Sequence, residues 1–333
     1  MAVNLAIAGV TGAVGQEFLK ILEQRDFPFG YLKVLASSRS AGKKIPFKGK
    51  QYIVEELKKD SFGGIDIVLF SAGGSRSKEF APAAAEAGAV VIDNSSAFRM
   101  DPDVPLVVPE INPLKIQQHS GIIANPNCST IIADVPVWPL HKANPIKRMV
   151  ISTYQAASGA GRQAMLELEN QSRQVLDGKE PICNAFPYQI AFNAFCHNSK
   201  LDETGYNLEE VKMVKETQKI FDCPDIAITC TCIRIPVFRA HCESINLEFT
   251  DPITPDQVRD LLSTAPGVSI IDDRQNNRFP MPIDATGKDD VYVGRIRQDD
   301  SIPEKRGINI WVAGDQLRKG AALNAVQIAE KLI

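Results

Sequence analysis

The chain has 333 residues, of which 44% are hydrophobic and 23% charged, with a formal net charge of −3. That length suffices for two domains with cores of their own, in the profile of a soluble globular protein. So small a net charge offers no bulk electrostatic attraction for nucleic acid or an anionic membrane surface, and no apolar run is long enough to span a bilayer. No signal-peptide pattern precedes the strand-like run at Val3, so a cytoplasmic location is expected. Seven cysteines lie between Cys128 and Cys242. Their odd number, without paired C-x-x-C or H-x-x-x-H spacing, supports neither a disulfide framework nor a metal site.

In chain order, Asn4–Ala8 reads as an apolar strand, Gln16–Glu23 as a helix with Phe18, Leu19 and Leu22 on one face, and Leu32–Ser37 as a second strand. Short apolar runs follow at Ile65–Ser71, Ala89–Asp93, Leu106–Val108 and Gly121–Ala124, with an Ala-rich helix at Ser77–Ala87. Strands alternating with helices predict a Rossmann-like, doubly wound parallel sheet of the α/β class. Strands apolar throughout fit a sheet covered on both faces.

After a helix-like run at Ile131–Leu140 the pattern changes. Met149–Gln155, Ile226–Val237, Ser244–Phe249, Val268–Ile271, Val291–Ile296 and Ile308–Ala313 are strand-like, with helices at Gly161–Leu176 and Thr254–Ser263. Period-two alternation, as in Ile233, Ile235, Val237 and in Ile245, Leu247, Phe249, predicts half-buried, mainly antiparallel strands and an α+β second domain. An open face of that sheet could serve a dimer. The last helix, Ala321–Ile333, is so apolar that it must be covered. No linker longer than a few residues is expected.

Gly9-Val10-Thr11-Gly12-Ala13-Val14-Gly15 stands between the first strand and the first helix. Glycines at this spacing let backbone approach a pyrophosphate, and the helix N-terminus supplies free N–H groups. Elsewhere such a loop could be a turn that binds nothing; at the head of a βαβ pattern it reads as a nucleotide site. The second strand ends in Ser37-Ser38-Arg39-Ser40, with Lys43 and Lys44 close behind and no acid. An arginine there suits a 2′-phosphate, so NADP is preferred, a solvated basic turn being the alternative. Ser71-Ala72-Gly73-Gly74-Ser75 supplies small residues at another strand end, where such folds bind ligands.

Asn125-Pro126-Asn127-Cys128-Ser129-Thr130 puts Cys128 after a strand and at a helix N-terminus, a setting that favours the thiolate. Among four histidines, His241 alone begins a strand just after an arginine-bearing one. Its chemistry suits proton transfer, although most histidines are structural. Arg234, read as alternating with inward-facing Ile233 and Ile235, needs an anion partner: a substrate carboxylate or an internal acid. Glu209 and Lys212 are three apart on a predicted helix and would face the same way, which a surface ion pair also explains.

Taken together these segments resemble aspartate-semialdehyde dehydrogenases. Asn125–Thr130 is similar to that family's nucleophile motif and Gly9–Gly15 to its opening loop. Ser95–Arg99, Val108–Asn112, Gln155–Gly161, Glu209–Lys212, Arg234–Val237, His241 and Ala313–Ala322 follow in the expected order, over essentially the whole chain. The resemblance implies Cys128 as nucleophile, His241 as general acid/base, and Gln155 positioning the reacting group. It implies Arg234 and Glu209 on the substrate carboxylate and amine, and Arg99 and Lys212 on phosphate, with Asn127 nearby. Ser158, Gly159 and Asn324 would join the loop residues at the cofactor. An NADP-binding domain of 1–128 plus 314–333 would then enclose a catalytic and dimerisation domain, 129–313.

The implied reaction converts L-aspartate 4-semialdehyde, phosphate and NADP⁺ reversibly to L-4-aspartyl phosphate through a Cys128 thioester. It belongs to the biosynthesis of diaminopimelate, lysine, threonine, methionine and isoleucine. The implied assembly is a homodimer, with a homotetramer as the alternative. Competing readings are an N-acetyl-glutamyl-phosphate reductase, a Cys–His acyltransferase or hydrolase with a structural dinucleotide, and a non-catalytic NADP sensor.

Overall fold

A computed structural model describes residues 3–333; residues 1 and 2 of the expected first domain lie outside them. Contacts divide the chain into two compact units, one running to Asn127 and including Ala321–Ile333, the other Cys128–Gly320. Segment 314–320, expected with the first unit, thus groups with the second. Asp315 takes Arg239 at 2.7 Å, and Arg318 pairs with Asp289.

The first unit begins with β1 (Val3–Ala8), α1 (Ala13–Gln24), β2 (Phe29–Ala36), β3 (Lys44–Phe47), β4 (Lys50–Ile53) and β5 (Glu55–Glu56). It continues with β6 (Ile67–Phe70), α2 (Gly74–Glu86), β7 (Val90–Asp93) and β8 (Ile122–Ala124). Six strands form an all-parallel sheet in the order β5-β2-β1-β6-β7-β8. Its strands are apolar because both faces are covered, by Phe18 and Leu22 of α1 on one side and Ala81 and Ala84 of α2 on the other. This is the expected doubly wound sheet. The chain passes to β2 on one side of β1 and to β6 on the other, which makes the crevice beyond their carboxyl ends the switch point.

The strand expected at Leu106–Val108 reduces to one bridge, Leu106 to Ala124, because Pro105 and Pro109 deny a ladder its donors on either side. The β3–β4 hairpin was not foreseen. Its turn, Lys48-Gly49, holds φ of 44° and 72°, the left-handed pair that a two-residue hairpin demands.

The second unit contains α3 (Cys128–Ala143), β9 (Ile146–Gln155), α4 (Arg162–Leu176), β10 (Phe195–Cys196), α5 (Leu208–Phe221) and β11 (Ala227–Arg234). After them come β12 (His241–Phe249), α6 (Pro255–Ser263), β13 (Val268–Ile270), α7 (Pro282–Ala285), β14 (Val291–Gln298) and β15 (Gly307–Gly314). The sheet order is β10-β11-β9-β12-β15-β14-β13. β11 and β13 run parallel to their neighbours β9 and β14, and the other pairs are antiparallel. Helices α3, α5 and α6 cover one face, and Ile245, Leu247 and Phe249 are fully buried beneath them, as their alternation predicts.

Two expectations fail here. β11 stops at Arg234, before Pro236, and its buried side chains are Cys230, Cys232 and Arg234, whereas Ile233 is half-exposed. The inward row is therefore the polar-looking one. Residues 177–207 hold only the two-residue β10, far longer than the short linkers expected. The segment is nonetheless pinned. The Glu167 carboxylate accepts N–H groups of Asn184, Ala185 and Phe186, and the Gln171 carbonyl accepts those of Ile190 and Ala191.

A π-helical turn, Arg318–Ala322, leads into α8 (Leu323–Glu330). Leu323, Val326 and Ile328 are buried in the core of the first unit, and Arg25 of that unit holds Glu330 at 2.6 Å. Among the described residues no helix is long and apolar enough to cross a membrane.

Candidate active site

The first unit carries a cleft of about 410 Å³ at the switch point. Gly9 sits at φ 91°, and a Cβ there would fall 2.1 Å from the Ser71 carbonyl oxygen; one on Gly15 would fall 2.3 Å from that of Gly9. Only bare backbone lets the loop pass this close to the end of β6. No side chain caps α1 at Gly12, so its first N–H groups are free for an anion. Of the expected cofactor residues, Gly9, Thr11, Gly12, Ser37, Arg39, Ser71 and Ala72 line the cleft. Ala13, Val14, Gly15, Ser38 and Gly73 adjoin these in sequence but do not form its wall. Ser40, Lys43 and Arg76 do, and no acid does. The cleft therefore fits a dinucleotide carrying an extra phosphate. Arg76 was missed because it lies in the first turn of α2, far from Arg39 in sequence.

Also in the first unit, buried Arg99 donates from Nε to the Asn125 carbonyl at 2.9 Å and from Nη2 to that of Asn94 at 2.8 Å. Asn324 donates to Asn125 Oδ1 at 2.7 Å and to the Val107 carbonyl at 2.9 Å, which commits its amide hydrogens to the fold. Asn127 is buried at the end of this unit.

In the second unit Cys128 is the first residue of α3 and stays partly exposed. Its Sγ lies 3.7 Å from Nε2 of His241. Gly320, in the π-helical turn, backs against it: a Cβ there would come within 2.9 Å of the Cys128 Cβ. The sheet register sets the partners at one level. Arg234 pairs with Gln155 across β11 and β9, and His241 heads β12 on the other side of β9. Gln155 donates to Ser129 Oγ at 2.7 Å and reaches Glu209 at 3.5 Å. Glu209 opens α5, where Asn207 caps its N–H, and it holds Lys212 at 3.0 Å.

His241 is 1% exposed. Burial, then the Arg234 guanidinium, push its pKa down to about 3. Arg234 is equally enclosed. Its Nη1 donates to the Ala156 carbonyl at 2.7 Å and its guanidinium lies 5.5 Å from the centre of the Phe186 ring. Its Nε has no acceptor, and no carboxylate forms an ion pair with it among the described residues. Burial lowers its pKa. Of the expected cofactor residues in this unit, Gly159 faces the Arg234 and His241 side chains, whereas Ser158 accepts a hydrogen bond from Gln316. Phe186 was not singled out in the sequence, and His197, whose charge acts on His241, was passed over among the four histidines; both come from the long loop before α5.

A switch-point cleft for a dinucleotide in one unit, and in the other a partly exposed thiol beside a buried imidazole, have the make-up of a nicotinamide-dependent dehydrogenase. Sequence families agree unit by unit. Residues 4–119 match the semialdehyde dehydrogenase NAD binding domain, and residues 137–319 the semialdehyde dehydrogenase dimerisation domain. The aspartate-semialdehyde dehydrogenase of Synechocystis sp. is 56% identical over 331 residues, 99% of this chain and 97% of the relative. That of Aquifex aeolicus is 55% identical over 337 residues, 100% of this chain and 98% of its own. The crystal structure of aspartate semialdehyde dehydrogenase II from Vibrio cholerae, complexed with ASA, superposes with a TM-score of 0.97 at 47% identity, covering 100% of this chain and 98% of that one. The Candida albicans enzyme with NADP gives a TM-score of 0.77 at 25% identity, with coverage of 100% and 98%. The chain belongs to the aspartate-semialdehyde dehydrogenase family.

Proposed function

We propose that the protein catalyses the reversible, NADP-dependent conversion of L-aspartate 4-semialdehyde and phosphate to L-4-aspartyl phosphate, in the cytoplasm and as a step of amino-acid biosynthesis. The observation that carries the reading is Arg234: a buried guanidinium with an idle Nε–H and no acid of its own, at one sheet level with Gln155 and His241. A buried cation left this way calls for an anion from outside, and the semialdehyde carboxylate is one.

In this reading Cys128 attacks the aldehyde, and Gln155 and His241 steady the reacting oxygen. Glu209 receives the substrate amine. Arg99 and Lys212, with Asn127, receive phosphate. NADP⁺, when bound, supplies the hydride acceptor, and Arg39, Ser37 and Ser38 take its 2′-phosphate beside the glycine loop. Ala13, Val14, Gly73, Ser158, Gly159 and Asn324 complete or support the cofactor site. The unit containing the parallel sheet is the NADP-binding domain; the other is catalytic and forms a homodimer, a homotetramer being the further step.

The test is NADP⁺ reduction with aspartate semialdehyde and, separately, with N-acetylglutamate semialdehyde, each with and without phosphate. Phosphate-dependent reduction with the first substrate alone supports the proposal. Turnover with the second, or hydrolysis without any NADPH signal, overturns it.

A further inference from the structure

The second unit holds a recess of about 160 Å³ between β14 and the loop that follows β13. Four arginines line it, Arg274, Arg278, Arg295 and Arg297, together with Asp272 and Asp273. Like charges gathered in a chain whose net charge is −3 need a reason, because each guanidinium raises the energy of the next.

The neighbouring acids do not supply it. Asp272 is taken by Arg259 of α6, through Nε at 2.9 Å and Nη2 at 2.7 Å. Asp273 turns its carboxylate into its own loop, accepting the N–H groups of Gln275 and Asn276 and the Asn276 amide. Asp284 takes Arg278 in a fork, at 3.0 and 2.6 Å. Asp299, whose charge reaches Arg297, is held by Asn246 and Ser301. Arg274, Arg295 and Arg297 therefore form no ion pair among the described residues.

The backbone brings these three together. The β14–β15 register shifts between Gly294 and Arg297, and inside that bulge Arg295 has φ 52°, left-handed backbone that an arginine rarely adopts. Arg297 Nη1 donates to the Arg295 carbonyl at 2.9 Å, and Arg274 Nη2 donates to that of Ile296 at 3.3 Å. Each of these two commits one donor to the bulge and keeps others of its five. Burial, then the Arg295 charge, lower the Arg297 pKa, with Asp299 opposing. Strained backbone that concentrates one sign of charge in a recess points to a ligand of the other sign.

We propose that this recess binds a phosphate-type dianion, inorganic phosphate or the phosphate end of a small monoester, with none of the residues assigned above to the phosphate of the reaction. Guanidinium forks from two segments suit a tetrahedral group with oxygens on every side, whereas a carboxylate presents one edge. A recess of about 160 Å³ admits one such group and is too small for a dinucleotide. The bound dianion ties the loop after β13 to the bulge, so it should raise the stability of the fold. The arginines are exposed, so binding should weaken as salt rises.

The experiment is calorimetric titration of inorganic phosphate, and separately of glycerol phosphate, into the whole protein at low salt, with chloride of matched ionic strength as control. The variants are Arg274→Gln, Arg297→Gln and Arg295→Gly, with Arg99→Leu for comparison. Each recess variant should weaken one phosphate-binding event roughly tenfold, which is what one charge-assisted contact contributes. Arg99→Leu should leave that event in place, and the recess variants should leave the KM for phosphate in NADP⁺ reduction unchanged. Arg295→Gly guards against a folding artefact. Glycine relieves the left-handed strain, so this variant should melt no lower than wild type in chloride and yet lose the stabilisation by phosphate. Tighter binding of phosphate identifies the free ion as ligand and tighter binding of glycerol phosphate a monoester; both support the proposal. Unchanged binding in all three recess variants, a response that chloride reproduces, or a KM for phosphate that rises with them overturns it. So does a homodimer that separates in Arg297→Gln while phosphate binding stays the same, since the arginines would then serve an acid of a second copy.

Discussion

Arg39→Ala separates the two dinucleotides. Arg39 lines an acid-free cleft with Lys43 and Arg76. NADP⁺ differs from NAD⁺ there by one phosphate, which a guanidinium binds through charge-assisted, often bidentate hydrogen bonds of about 1.5–3 kcal/mol. Arg39 is exposed, so solvent and salt screen it and the lower end of that range applies. About 1.5 kcal/mol is roughly a tenfold loss in NADP⁺ affinity. NAD⁺ has nothing for the side chain to hold, and its affinity should change less than about twofold by the same reasoning. Removing Arg76 as well should widen the gap, because it presents the remaining guanidinium on the cleft wall. The assay is titration of NADPH and NADH fluorescence on wild type, Arg39→Ala and the double variant at low and moderate salt. Parallel loss for both dinucleotides, or a salt-independent loss, would refute a 2′-phosphate contact.

The remaining predictions concern the second unit and Arg99. Cys128→Ala should abolish NADP⁺ reduction while leaving the fold and NADPH binding intact, since the site keeps its backbone and loses only the nucleophile; near wild-type turnover would end the thioester mechanism. Arg99→Leu should raise the KM for phosphate more than that for the semialdehyde, and Arg234→Leu the reverse, in kinetics with each substrate varied in turn; matching profiles would mean the two anions do not use separate arginines. Glu243 predicts a pH effect on stability. It is fully buried with both carboxyl oxygens unbonded, and burial, with Asp134 adding to it, raises its pKa well above 4.5. Above that pH the unfolded chain ionises Glu243 while the folded chain keeps the proton. Stability should therefore fall as pH rises toward the folded value, by up to about 1.4 kcal/mol per pH unit. Glu243→Gln cannot ionise and should flatten the slope in thermal melts from acid to alkaline pH; superimposable slopes would show that Glu243 is not held neutral.

The glycine loop, the basic end of β2 and the thiol at the start of α3 were legible in the sequence, because each depends on residues adjacent in the chain. A backbone that must pass 2.1 Å from where a Cβ would stand admits only Gly9, and a cysteine between a strand and a helix declares its setting by position. Period two likewise placed Ile245, Leu247 and Phe249 inside. The same rule misread β11, where Cys230, Cys232 and Arg234 point inward. Alternation reveals the period of a strand, but which row is buried depends on what packs over it, here α5. Residues 177–207 read as nothing in particular, since they are ordered by Glu167 and Gln171 of α4 rather than by a periodicity of their own. That distant anchoring brings Phe186 over Arg234. Arg76 reached the nucleotide cleft by the same kind of long-range folding. The surroundings of His241 were the least accessible to sequence: the Ala156 amide beside its Nδ1 and the Arg234 guanidinium near its ring come from segments far from it in the chain.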